Sequence, residues 1–399
     1  MTKRMTLFLV LALLISSFGV LPTNAQDATL LIWADEVSAP IIEELSAPFA
    51  EEYGVTIEVQ QIPFGDIRGQ FVQAAPTGEG PDLFIGAHDW LGEMVANGLV
   101  APVDLGDDTE SFAEPAINAF TYEGDLYGVP YAIENVALFY NTELVETAPT
   151  TWDEVRTVSE EIIEGGAADY GFLIQQGDAF HFMPIQTAFG GYVFGLDEEG
   201  NYNPEDVGID SEGSIAALAW VESMVDDGLN PAGLGGGDIE SLFIAGDAAM
   251  LITGPWNVNR FVEAEVPFAI APIPGSGDME QGAPFLGARG FMVNAFSANP
   301  VLAQAFLTDF VATEEFQQAA FDAEGRPPAY LPVAEMVESE YVTALLAAGE
   351  NAQPMPAIPA MGDVWGAWGN AITLVMQGEL TAEEAFTQAA ETIREAIAE

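Results

Sequence analysis

The 399-residue sequence contains no cysteine, so disulfide frameworks, thiolate metal sites and cysteine nucleophiles are all excluded. Its only lysine is Lys3, which rules out a phosphate-loop lysine, a Schiff-base lysine and a kinase lysine. The two histidines, His88 and His181, stand without cysteines and without metalloprotease spacing, so a zinc site is not expected. A Gly-x-Ser-x-Gly nucleophile elbow is also absent. Eight basic residues face 63 acidic ones, a formal charge of −55 that repels nucleic acid and anionic lipid. No single-sign tract or acidic tail carries this charge. It is spread between apolar positions, as on the solvated face of a folded protein.

Residues 1–25 do carry a signal. Lys3 and Arg4 precede an apolar run from Met5 to about Val20, and Pro22-Thr23-Asn24-Ala25 follows before the polar Gln26-Asp27. This is the pattern of a secretory leader cleaved near Ala25, and the run is short for a membrane span of about 20 residues. A lipid anchor through an N-terminal cysteine is excluded. Cleavage takes Lys3 and Arg4 and leaves six arginines against 63 acids, 6 − 63 = −57. Such a charge fits a periplasmic or secreted protein of saline or acidic surroundings.

With 49% hydrophobic residues, the chain can bury a large core, and its length favours two lobes over one. Thr29 to Trp33 reads as a strand, Pro40 to Tyr53 as a helix stopped by Gly54, and Val55 to Ile62 as an alternating strand. Gly80 to Gly86 reads as a further buried strand, followed by a helix from about Asp89 to Ala96. Strands alternating with helices predict a mostly parallel sheet with its ligand beyond the strand carboxyl ends. Tyr122 to Gly128 looks like a hairpin, and Val129 to Ile133 runs through Glu134 toward a strand Val136 to Tyr140, where the first lobe crossing is expected. Thr151-Trp152-Asp153-Glu154 has the form of a capping box, which makes Trp152 a packing residue. Ser211 to Asp227 and Ala382 to Ala398 are amphipathic helices, with Trp220 in the core. Phe285 to Asn294 is a return strand, and Gly325-Arg326-Pro327-Pro328 is an irregular crossing.

Three further segments, His88-Asp89-Trp90, Gly254-Pro255-Trp256 and Val364-Trp365-Gly366-Ala367-Trp368, read as lips of a cleft. Indole faces beside carboxylates suit a polyhydroxylated ligand, whose C–H groups meet the ring and whose hydroxyls donate to the acid. Carboxylate pairs also leave a glycosidase open at this point. Two chain crossings favour a hinge that closes on a ligand. Asp197-Glu198-Glu199-Gly200-Asn201 lacks the alternating ligands of a calcium loop and reads as a hairpin turn.

Several segments in order resemble a known family: Leu31-Ile32-Trp33-Ala34-Asp35, Ala75 to Asp82 running into Ala87-His88-Asp89, Gly128 to Glu134, Tyr140-Asn141, Pro149 to Glu154, Phe189 to Tyr192, Val207 to Asp210, Ala249 to Trp256, and Met355 to Met361. They are similar to the extracellular solute-binding proteins of ABC importers, most of all the maltose/maltodextrin-binding proteins. The resemblance implies an α/β fold of the two-lobe periplasmic-binding-protein type (type II), each lobe a mostly parallel sheet flanked by helices, joined by a multi-crossing hinge. The expected division is 26–133 with 287–330 as the N-terminal lobe and 134–286 with 331–399 as the C-terminal lobe. It implies a monomer without cofactor or enzymatic activity, whose partners are an oligosaccharide and the transmembrane subunits of a permease. The membrane is then reached only through that permease.

By position, the resemblance assigns hydroxyl acceptors to Asp35 or Glu36, Asp89, Glu134 and Asp178, and aromatic contacts to Phe180, Trp256 and Trp365. The sequence departs from the family pattern at Gly86, where a tryptophan is common, at Trp90 and Gly369, which replace basic residues, and in lacking a lysine beside Asp35. Trp90 and Trp368 are candidates for a displaced stacking surface. Arg289, at the return crossing, is expected to meet an acid across the hinge or a ligand oxygen.

Self-repulsion of so much like charge predicts a melting temperature that falls as salt is diluted and the screening length grows from about 8 Å to about 30 Å. A melting temperature unchanged from low to molar salt at neutral pH contradicts it.

Overall fold

A computed structural model describes residues 28–197 and 200–398. The expected leader lies outside the described residues, as do Glu198 and Glu199 of the Asp197 turn. That turn joins the antiparallel strands Phe194–Leu196 and Tyr202–Val207.

The first apolar run forms strand Thr29–Ala34, whose alternate side chains serve different cores. Leu30, Ile32 and Ala34 pack with Ile42, Phe49 and Phe306, while Trp33 packs with Phe71 and Phe84 on the other face. Burial on both faces marks a strand sandwiched between helical layers. It pairs in parallel with Thr56–Gln61 and with Leu83–Ala87. The return strand Phe285–Asn294 lies antiparallel to Leu83–Ala87 and to Gly128–Glu134. The short strand Val100–Ala101 also pairs antiparallel with it, and Gln353–Pro354 pairs parallel with its first residues.

A second sheet has the order Phe268–Ala271, Ala137–Asn141, Ala248–Thr253, Tyr170–Leu173. Only Ala137–Asn141 runs against the other three. In each sheet, a strand that opposes the main direction adjoins a chain crossing. Ala137–Asn141 follows Glu134 directly, and Phe285–Asn294 brings the chain back to the first sheet.

Two local expectations change. The helix expected over Pro40 to Tyr53 is two helices, Ser38–Leu45 and Ala47–Tyr53, separated at Ser46. Pro48 has no N–H to give and its ring obstructs the preceding turn, so a continuous helix is interrupted there. The capping box at Thr151 is half made. Thr151 Oγ1 accepts the Glu154 amide at 3.1 Å, but the Glu154 carboxylate turns to the Thr150 amide at 2.7 Å and hydroxyl at 3.0 Å. Trp152 is buried behind this cap against Phe172 and the half-buried Trp220.

Because the Thr151 hydroxyl satisfies one orphan amide of helix Trp152–Gly165, Thr151→Ala is expected to cost about 1 kcal/mol of stability. Denaturant titration checks this, with Thr151→Ser retaining most of the wild-type value.

Candidate functional site

Helices that cross over parallel strands leave the strand carboxyl ends free, and here those ends from both sheets face a common space. From the first sheet, Asp35 and Glu36 follow Thr29–Ala34, Asp89 and Trp90 sit in the turn His88–Trp90 after Leu83–Ala87, and Glu134 ends Gly128–Glu134. From the second, Asp178 and Phe180 follow Tyr170–Leu173 at the start of helix Ala179–Ala188, and Trp256 follows Ala248–Thr253. Trp365 comes from helix Met361–Met376. All nine line one cavity of about 760 Å³.

The floor of that cavity is ionic. Asp35 is buried, with Oδ1 accepting the amides of Val37 at 2.9 Å and Ser38 at 3.0 Å, while Oδ2 receives the Arg289 guanidinium. Burial alone would raise this carboxyl, but Arg289, Arg326 and the two amides outweigh it and hold Asp35 down at about 2. Arg326, also buried, donates to both Glu134 and Glu324. Ser38 Oγ donates to Glu324 Oε1 at 2.8 Å, which ties this pair to the Asp35 turn. Asp35 and Glu134 therefore reach the cavity with oxygens already engaged by protein donors. Glu36, by contrast, is exposed at the rim.

The aromatic walls come from both lobes. Trp90 is 7% exposed and stacks on Phe64 at 5.0 Å, and the Arg289 guanidinium lies 4.0 Å from the Phe64 ring centroid. A side chain at Gly86 would run into the Trp90 ring at 2.7 Å, so Trp90 fills the space that the departure at Gly86 leaves. Trp256 folds back over Gly254, where a Cβ would collide with the indole. Phe180 lies 6.3 Å from Trp256. Trp368 is fully buried behind Trp365 at 5.9 Å and does not line the cavity.

Direct bonds already join the lobes. The Trp365 indole N–H donates to Asp89 Oδ2 at 2.9 Å, and Arg68 binds Glu93 at 2.8 Å and the Gly362 carbonyl at 3.0 Å. Asp178 caps helix Ala179–Ala188 by accepting the His181 amide at 3.0 Å, and its other oxygen takes the Gln175 amide group. His88 is structural. Its Nδ1 accepts the Ala288 amide at 3.0 Å, which leaves Nε2 to donate to the Met355 carbonyl at 3.3 Å, and burial pushes the ring down to about 4.

Arg289 meets an acid, Asp35, but one that follows a strand of the same sheet rather than one across the hinge. Arg326, Glu324, Phe64 and Arg68 were not foreseen as site residues. Arg326 left one signal, as one of seven arginines in the chain, set within an irregular crossing. Phe64 left none, because a phenylalanine opening a helix looks the same whether it faces a core or a cavity.

A model of the bacterial extracellular solute-binding protein family matches residues 44–349. The galactooligosaccharide-binding protein of Bacillus subtilis (strain 168) is 30% identical over 382 residues, covering 93% of this chain and 90% of that protein. The maltodextrin-binding protein MdxE of the same organism is 26% identical over 404 residues, covering 98% of this chain and 96% of that protein. Among solved structures, the Thermus thermophilus maltotriose binding protein bound with maltotriose superposes with a TM-score of 0.84 at 33% identity, covering 92% of this chain and all of the other.

Burial pushes the Asp89 carboxyl up to about 6, although the Trp365 N–H and Arg68 pull the other way. The folded chain thus keeps a proton on Asp89 that the unfolded chain has released by then, so Asp89 withdraws stability as pH rises from 3.8 to about 6. Asp89→Asn removes this slope, and its melting temperature should gain on the wild type across that interval. Parallel curves contradict the assignment.

Proposed function

This chain belongs to the bacterial extracellular solute-binding protein family, and we propose that it captures a neutral oligosaccharide, an α-linked glucan fragment, and delivers it to an ABC permease. The observation that carries this reading is the interlobe cavity, where Trp256, Phe180 and Trp365 stand over a floor of paired charges without any lysine. Half-buried indoles suit the C–H faces of a sugar, and an acid-rich cleft disfavours phosphorylated or carboxylated ligands. Glu36, Asp89 and Asp178 supply acceptors for hydroxyl donors. Three charge-assisted bonds of about 1.5–3 kcal/mol each give about 4.5–9 kcal/mol before two stacked rings are added, the order of the roughly 8 kcal/mol of a micromolar complex.

The lobes are 26–133 with 287–330 and 134–286 with 331–399, and the mature chain begins near Gln26 outside the cytoplasm. Ligand contacts made to both lobes at once favour the closed arrangement over an open one. The protein acts as a monomer and binds without cleaving. On the cavity floor, Asp35 and Glu134 are committed to arginines and are not free to work on a glycosidic bond. The galactooligosaccharide-binding relative supports a second saccharide class for the same cleft.

Calorimetry with maltotriose and with galactooligosaccharides, joined to X-ray scattering, tests this. Heat release with compaction is expected for at least one saccharide, and recovery of intact sugar excludes cleavage. Trp256→Ala should weaken binding at least tenfold with an unchanged melting temperature. If neither heat nor compaction appears for any saccharide, the function is refuted.

A further inference from the structure

We propose that Arg289 and Arg326 are the groups that read the acceptor oxygens of the bound sugar, and that Asp35, Glu134 and Glu324 are positioning residues behind them. This rests on the saccharide reading above and reverses the expected roles of Asp35 and Glu134.

A guanidinium has five N–H donors in a fixed plane. In this protein, Asp35 takes one from Arg289, while Glu134 and Glu324 take two from Arg326. Both arginines line the cavity. Arg289 is 4% exposed, and its Nε–H is itself buried with no hydrogen-bond partner among the described residues. A buried donor without an acceptor is unfavourable, which favours a shift of the guanidinium that turns this N–H to a ligand oxygen. Phe64 fixes the plane of Arg289 from one side. The Arg326 guanidinium lies over the Trp256 ring, 5.4 Å from its centroid, so a sugar at the edge of that indole is a neighbour of the guanidinium.

Hydroxyl and ring oxygens of a sugar need donors as well as acceptors, and the mature chain has no lysine to provide them. The acids on the cavity floor cannot donate when ionised. Two arginines anchored from behind fill that need with little further ordering on binding. They also make the site selective by position: a sugar lacking an oxygen opposite either guanidinium leaves a buried donor unmet.

The test uses calorimetry on the mature full-length chain with maltotriose and a set of its monodeoxy and deoxyfluoro analogues. A C–F group accepts weakly and cannot donate. Wild type should lose at least tenfold in affinity for one or more monodeoxy analogues and recover part of it with the matching deoxyfluoro sugar. The neutral double variant Asp35→Asn/Arg289→Gln should bind maltotriose at least tenfold more weakly and no longer separate the deoxy from the deoxyfluoro analogue at that position. Glu134→Gln/Arg326→Gln should do the same at another position. Arg289→Lys keeps a charge beside Asp35 and serves if the neutral pair fails to fold; it too should lose the discrimination. Folded variants with wild-type affinity and an unchanged analogue pattern overturn the inference while leaving the saccharide function standing. Absence of binding by wild type to maltotriose and to galactooligosaccharides alike refutes the function and this assignment with it.

Discussion

The buried chain of charge beneath the cleft organises the molecule. Asp35 stands at the end of the first strand, Glu134 at the first crossing, Arg289 in the middle of the return strand, Glu324 at the end of helix Glu314–Glu324 and Arg326 just beyond it. These are distant in sequence, and their ion pairs bring four chain segments to one point. Charges removed from water are costly unless they are paired and hydrogen-bonded, and loss of one partner from such a pair typically destabilises by about 3–5 kcal/mol. Each segment is therefore held by what the others supply. Ser38, Tyr131 and the Val37 amide complete the arrangement by meeting the remaining oxygens.

This rigidity has a functional consequence. The cavity floor is built from the first lobe and the crossing, whereas Trp256, Phe180 and Trp365 come from elements on the other side. In the proposed function, that second group closes on a ligand held against the first. Hydrogen bonds already join the two sides, among them Trp365 to Asp89, Arg68 to Gly362, His88 to Met355 and Asn259 to the Asp322 and Ala323 carbonyls, each small beside the contacts an enclosed ligand would make. The acidic exterior belongs to a separate layer of the design. It governs solubility and response to salt, while the cleft sets its own balance from three arginines and their partners.

Much of this was legible in the chain because strand ends are local features. A strand followed by a polar or aromatic residue puts that residue at the rim of a parallel sheet, but the grouping of Asp35, Asp89, Glu134, Asp178 and Trp256 as one site came from the resemblance to the maltose/maltodextrin-binding proteins. The split of the first helix was legible in principle from Pro48, and the half-made cap at Thr151 was not, since Thr150 and Thr151 are equally able to take the Glu154 carboxylate. Trp90 and Trp368 show the limit clearly. Both are tryptophans next to expected site residues, yet one lines the cavity over Gly86 and the other is packed behind Trp365.

Composition, the leader pattern, the alternation of strands and helices and the order of family-like segments were determined by sequence alone, because each depends on residues that are neighbours in the chain. The partners of the acids were decided only by tertiary structure. Asp35 and Arg289 are 254 positions apart, Glu134 and Arg326 192. A carboxylate looks the same in sequence whether it is free to accept from a ligand or already saturated by a guanidinium. The difference lies in which strands the sheet places side by side, and that follows from packing the whole chain.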